Sequence, residues 1–188
     1  MPSTSDFRNG LKIEMDGAPY IMIEFQHVKP GKGGAFVRTK LKNLRTGRVV
    51  EKTFRSGESV TSPDINQKEM QYLYRDGEMY VFMDTSDYEQ TSLLKENIGE
   101  GVKWLKEESI CDIMFHNGEA IAVELPTFVE LSISKTDPGV KGDTAAGGSK
   151  PAELETGASV NVPLFLNVGD VLKIDTRSGE YIERVKTA

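Results

Sequence analysis

Residues 20–41 read Tyr20-Ile21-Met22-Ile23-Glu24-Phe25-Gln26-His27-Val28-Lys29-Pro30-Gly31-Lys32-Gly33-Gly34-Ala35-Phe36-Val37-Arg38-Thr39-Lys40-Leu41. Two strand-like runs, Tyr20 to Val28 and Phe36 to Leu41, flank a glycine-rich tip, which is the pattern of a β-hairpin. The three glycines allow a tight turn with positive φ that other residues resist. Lys32 is then left among neighbours with almost no side chain and stands clear of its own protein. Lysine is a compact charge on a flexible stem, and glycine lets a backbone approach another surface closely. Such a tip suits a narrow, negatively charged space of the kind RNA provides. On the octapeptide alone, an ordinary turn with its lysine in water is an equal alternative.

Outward from the tip, short β-rich runs dominate: Leu11–Met15, Tyr20–Val28, Ala35–Leu44, Val49–Phe54, Met70–Tyr74, Met79–Met83, Ile110–His116, Ala120–Leu125, Phe128–Ser134, Ser159–Phe165, Val171–Asp175 and Tyr181–Val185. Asp16-Gly17, Asp76-Gly77, Asn117-Gly118 and Ser178-Gly179 are hairpin signals between them. This predicts an all-β protein. Leu93, Leu94, Ile98, Val102 and Leu105 predict one short amphipathic helix within Ser92–Leu105, interrupted by Gly99 and Gly101. Breaks at Ser62-Pro63-Asp64 and Pro126-Thr127 divide the chain into three small barrels, residues 1–64, 65–127 and 128–188. The glycine-rich stretch from Asp137 to Ser149 is one long loop inside the last of them.

Charge is polarised along the chain. Residues 29–55 carry nine basic side chains (Lys29, Lys32, Arg38, Lys40, Lys42, Arg45, Arg48, Lys52 and Arg55) against one acid, Glu51, a net +8. Residues 65–128 carry five basic and thirteen acidic side chains, a net −8. The basic run is an electrostatic footprint for phosphate, while the acidic middle would be repelled by it and must face elsewhere. A merely solvated charged face is the competing reading of the basic run. No apolar stretch reaches the ~20 residues a bilayer requires, and residues 1–9 lack the apolar core of a secretion signal, so a cytoplasmic protein without a membrane partner is expected.

The chemistry of catalysis finds little footing. Gly31-Lys32-Gly33-Gly34 lacks the spacing and the Lys-Ser/Thr ending of a P-loop, and Gly142–Lys150 has no helix after it. His27 and His116 are far apart without ligand spacing, so no metal is expected. The single cysteine, Cys111, sits in the apolar run Ile110–Phe115 and reads as a core residue rather than a nucleophile. Acid pairs such as Glu107-Glu108 are ordinary solvated charges.

The whole chain resembles bacterial translation elongation factor P. The residues carrying the resemblance are His27 to Phe36 followed by Glu51-Lys52-Thr53-Phe54-Arg55. More specific is the C-terminal set Lys150, Ala152, Gly157, Val160, Val162-Pro163, Leu166 and Gly169 at the spacing of that family's signature, with Gly142-Asp143-Thr144-Ala145 before it and Arg177-Ser178-Gly179-Glu180-Tyr181 after it. The resemblance implies an SH3-like (KOW-like) N-terminal barrel and two OB-fold barrels in an L that resembles tRNA in outline. It implies no enzyme activity and no cofactor. Family members bind the ribosome between the peptidyl-tRNA and exit-tRNA sites and relieve stalling at consecutive prolines, so the implied partners are rRNA, the P-site tRNA and the E-site mRNA codon. A monomer is expected.

Residue by residue, the resemblance implies that Lys32 reaches toward the CCA end of the P-site tRNA and is the target of a modifying enzyme in many members. β-lysylation, an aminopentanol-type adduct and no modification all remain open for a lysine tip. Pro30, Gly31, Gly33 and Gly34 would shape the hairpin. Lys29, Arg38, Lys40, Lys42, Arg45 and Arg48 would lie on phosphates and supply sequence-independent affinity. Gly142, Asp143, Thr144 and Ala145 would form the loop at the E-site codon, and Tyr181 and Arg184 a ribosome-contacting pair. Two rival readings stand beside this one: an RNA-binding module of the same architecture that does not relieve proline stalling, and a hydrolase or transferase, for which no nucleophile, base or metal set is seen.

Overall fold

The N-terminal sheet grows from the hairpin: β1 (Lys12–Met15), β2 (Ala18–Val28), β3 (Phe36–Asn43) and β4 (Val49–Arg55) lie side by side in that order. Asp16 (φ 53°) and Gly17 (φ 72°) turn β1 into β2 through left-handed backbone at both positions, the geometry that matches the twist of paired strands. Along β3, Val37, Thr39 and Leu41 point inward while Arg38, Lys40 and Lys42 point out. A bulge at Ile23 interrupts the β2–β3 register between Met22↔Leu41 and Glu24↔Lys40. The extra residue changes the alternation, so that Met22 is buried and Glu24 still faces out beside Lys40.

The computed structural model describes residues 1–139 and 148–188. Two compact units divide the chain, Met1–Lys68 with Ile113–Val123, and Glu69–Asp112 with Glu124–Ala188. In the first, Phe7, Ile13, Met22, Val37, Leu41, Phe54 and Val60 form the core, with the Phe7 and Phe54 rings edge to face at 5.2 Å. In the second, Trp104 packs with Leu131, Ile133, Leu154, Leu166, Leu172 and Ile174. Each such aliphatic side chain contributes about 1.5–3 kcal/mol on leaving water, so these clusters are what fix the strand faces.

A second sheet comprises β5 (Ile65–Asp76), β6 (Met79–Asp84), β7 (Gln90–Leu94), β8 (Ile110–His116) and β9 (Glu119–Glu124), ordered β7-β6-β5-β8-β9. A third comprises β10 (Phe128–Thr136), β11 (Ser149–Leu154), β12 (Ser159–Pro163), β13 (Val171–Asp175) and β14 (Glu180–Lys186), ordered β12-β11-β10-β13-β14. The protein is all-β, as the alternating runs indicate. The expected helix is much shorter than Ser92–Leu105. Ser92 to Leu94 belong to β7, where Leu93 pairs with Tyr80, and only Lys95–Ile98 (α1) is α-helical before a 3₁₀ turn over Gly99–Trp104. Leu93 is buried by the sheet, whereas Leu94, whose four-residue spacing from Ile98 imitates a helical stripe, is exposed. Among the described residues no helix is long and apolar enough to cross a membrane, and no group of three His, Cys, Asp or Glu is placed to hold a metal. Cys111 is buried, and that burial pushes its thiol up to about 12, the behaviour of a core residue.

Candidate nucleic-acid interface

β2 and β3 pair as far as Val28↔Phe36, which leaves residues 29–35 beyond the last pair with Lys32 at their midpoint. Residues equidistant from Lys32 therefore face one another: His27↔Val37, Gln26↔Arg38 and Glu24↔Lys40. Residues 29–34 are all exposed. Of the three tip glycines only Gly33 adopts the left-handed backbone (φ 108°), which corrects the expectation that all three supply it. Gly31 and Gly34 act differently: a Cβ at either would meet nothing within 4 Å, so their bareness keeps the tip slim rather than permitting its turn.

Behind the tip, the outer faces of β2, β3 and β4 form a groove of about 510 Å³ lined by Glu24, Gln26, Arg38, Lys40, Glu51 and Thr53, among others. Arg38 lies between Gln26 and Thr53 in the cross-strand row, with its guanidinium 5.5 Å from the Phe36 ring centroid. Lys40 lies between Glu24 and Glu51, and its Nζ donates to Glu24 Oε2 at 2.7 Å. That hydrogen bond, with the charge of Glu24 and then of Glu51, raises the Lys40 pKa and neutralises much of its charge locally. Lys29, Lys32, Arg38, Lys42, Arg48 and Arg55 are exposed and make no ion pair among the described residues.

Two of the basic residues are engaged by other parts of the protein. Lys52 lies opposite Thr39 on the core-facing side of β4, its Nζ 3.0 Å from Met15 Sδ and 5.2 Å from the Phe54 ring centroid. Arg45, in the turn after β3, donates from Nη2 to Glu119 Oε2 at 2.9 Å and approaches His116 Nδ1 at 3.3 Å. Of the nine basic residues, six are thus exposed and without an ion pair among the described residues, around a centre that Glu24 compensates at Lys40.

At the C-terminal end, Tyr181 is half-buried against the core of the third sheet, opposite Ile174. Arg184 lies 3.7 Å from Asp170 Oδ2 and 5.4 Å from the Phe165 ring centroid. Asp170 is buried, and backbone N–H groups of Asn167 and Ala188, each at 2.9 Å, hold its carboxyl below the usual range, with Arg184 adding to the effect. The turn between β13 and β14 is clamped by Arg177, whose Nε and Nη2 donate to the two Asp175 oxygens at 3.1 and 2.7 Å and draw that carboxyl down to about 2. Gly142, Asp143, Thr144 and Ala145 lie outside the described residues. Glu24, Glu119, His116, Phe165 and Asp170, which hold the basic residues in place, carry no local motif. Glu24 alone was findable, by counting symmetrically from Lys32.

Three family descriptions match successive parts of the chain: an elongation factor P KOW-like domain over residues 3–60, an elongation factor P OB domain over 65–123, and an elongation factor P C-terminal domain over 129–184. The chain belongs to the elongation factor P family. This is a family of translation elongation factors. Elongation factor P of Natranaerobius thermophilus is 59% identical over 99% of both chains, and that of Moorella thermoacetica is 59% identical over 98% of this chain and all of its own. Among solved structures, eukaryotic translation initiation factor 5A from Methanococcus jannaschii is similar with a TM-score of 0.55 and 25% identity, covering 65% of this chain and 92% of that one. In elongation factor P terms, the lysine-tipped hairpin lies in the KOW-like domain, and Tyr181 and Arg184 lie in the C-terminal domain.

Proposed function

We propose that this protein is a cytoplasmic factor that binds the ribosome between the P and E tRNA sites and promotes peptide-bond formation at consecutive prolines, with Lys32 placed against the CCA end of the P-site tRNA. The observation that carries this reading is Lys32 itself, the midpoint of a seven-residue tip exposed over residues 29–34, with cations on the strands behind it that make no ion pair among the described residues. Proline fixes φ and its nitrogen is a secondary amine, so the reacting ends are hard to align. Holding the CCA end still lowers the entropic part of the barrier, and nothing in that task requires a nucleophile or base from the factor. The factor supplies position, not chemistry.

Lys29, Arg38, Lys42 and Arg48 provide the phosphate contacts in this account, and their single sign makes affinity sensitive to salt. Lys40 contributes less while Glu24 holds it. A Lys32-modifying enzyme would lengthen the tip's reach, and the exposed tip leaves Nζ accessible to one. Gly142–Ala145 at the E-site codon, and Tyr181 with Arg184 on the ribosome, complete the proposed contacts. The test is translation of a Pro-Pro-Pro reporter with wild-type factor and with Lys32→Ala, alongside thermal unfolding. Loss of most rescue with unchanged unfolding is expected; full rescue by Lys32→Ala would refute the assignment.

A further inference from the structure

Arg45 carries an arrangement that contact with RNA does not use. Its Nη2 meets Glu119 Oε2 on β9 at 2.9 Å and His116 Nδ1, at the end of β8, at 3.3 Å. His116 is 1% exposed, and its Nε2 lies 3.3 Å from Glu14 Oε2 on β1. The Arg45 guanidinium, which only donates, faces Nδ1, while Nε2 faces the Glu14 carboxylate with Asn117 Nδ2 also 3.3 Å from it. The imidazole is therefore gripped from opposite sides by side chains of β1 and of the β3–β4 turn. Nearby, Asn117 N–H donates to Asp64 O at 3.2 Å and Glu14 N–H to Thr61 O at 2.8 Å. All of these residues lie in the unit Met1–Lys68 with Ile113–Val123.

We propose that Arg45 and His116 are positioning residues, which fasten β1 and the β3–β4 turn to the β8–β9 hairpin and so set where Lys32 stands. Arg45 occupies the end of β3 opposite the tip, and at ~3.3 Å per residue the strand between them spans about 25 Å. A loosening of about 5° at that end displaces the tip by about 2 Å, and misplacement of about 1 Å is enough to cost ~100-fold where catalysis is positional. The consequence for Lys32 rests on the reading that its tip must reach a fixed point on a nucleic-acid partner; the fastening itself does not. Arg45 differs here from Arg38 and Lys42, whose charges are presented to solvent without an ion pair among the described residues.

Arg45→Ala, His116→Ala and Glu119→Gln test this through two readouts. Spin labels on Gly34→Cys and Ala120→Cys, both in the same unit, report the tip's placement without any ribosome; Cys111 is buried and stays unlabelled. A narrow distance distribution in the parent is expected to broaden in all three variants. On the ribosome, rescue at saturating factor is expected to fall several-fold in each, with the salt slope of binding unchanged. Glu119→Gln keeps side-chain volume and guards against a misfolded Arg45→Ala. An unaltered distance distribution would overturn the proposal. So would a salt slope reduced by about one in Arg45→Ala with tighter binding by Glu119→Gln, since that pair of results makes Arg45 a phosphate contact restrained by Glu119. If Lys32→Ala leaves rescue intact, the ribosomal reading falls while the distance measurement still decides the fastening.

Discussion

Glu24 and Lys40 lie equally far from Lys32 in sequence and meet across β2 and β3, Nζ to Oε2 at 2.7 Å, in the middle of the groove behind the tip. The pair cancels charge where the face would otherwise be most basic. Arg38, Lys42 and Arg48 remain free around it among the described residues. Unpaired positive charge is thereby moved from the centre of the face to its margins.

Replacing Glu24 by Gln releases Lys40. Binding to the ribosome is expected to tighten, and log affinity to fall more steeply with log salt, because one more cation becomes available to displace a counterion. Both partners are exposed, so thermal stability changes little. Titration at several salt concentrations measures this, and a weaker complex would show instead that Glu24 itself makes a required contact.

Arg38→Ala and Lys42→Ala are each expected to weaken binding and reduce the salt slope by roughly 0.7–0.9, the value for one nucleic-acid phosphate contact. Lys40→Ala should do less in the wild-type background than in Glu24→Gln. The four-variant cycle over Glu24 and Lys40 gives the coupling directly, and equal effects of Lys40→Ala in both backgrounds would disprove the compensation.

Acid should loosen the C-terminal sheet below about pH 4. Asp170 and Asp175 both have folded-state pKa values below the ordinary carboxylate, the latter about 2. Their contribution to stability is fully present above the unfolded value of about 4 and is lost as pH falls through the lowered folded values. Denaturant midpoints measured between pH 5 and pH 2 should fall, and Asp170→Asn should start less stable at pH 7 and lose less across that interval. An Asp170→Asn curve parallel to wild type would remove Asp170 from this account.

The hairpin was the most legible part of the sequence because Gly and Pro confine the turn to a few residues and alternation settles the rest. Pairing then follows from counting outward from Lys32 until the bulge at Ile23. β7 and β11 escaped for a common reason: Gln90-Thr91-Ser92 and Lys150-Pro151 lack the apolar alternation that marks a strand. Pro151 is tolerated beside β10 because that ladder ends at Thr136↔Ala152, so its missing N–H breaks no bond there. The charge count along residues 29–55 found the basic face but not its neutral centre, since Glu24 enters the face from β2, outside that window. Glu119 and His116, more than 70 positions from Arg45 in the chain, had no local signal at all.

The placement of Lys32 is tested most directly by cross-linking. A photoreactive residue at Gly34, where a side chain meets nothing within 4 Å and the backbone is not left-handed, leaves Lys32 intact beside it. On ribosomes halted at a Pro-Pro-Pro codon run, the account predicts a cross-link to the 3′ CCA end of the P-site tRNA, while the same probe at Gly10 gives none there. Cross-links from Gly34 that fall only on other RNA or on protein, with the CCA end unmarked, would contradict it.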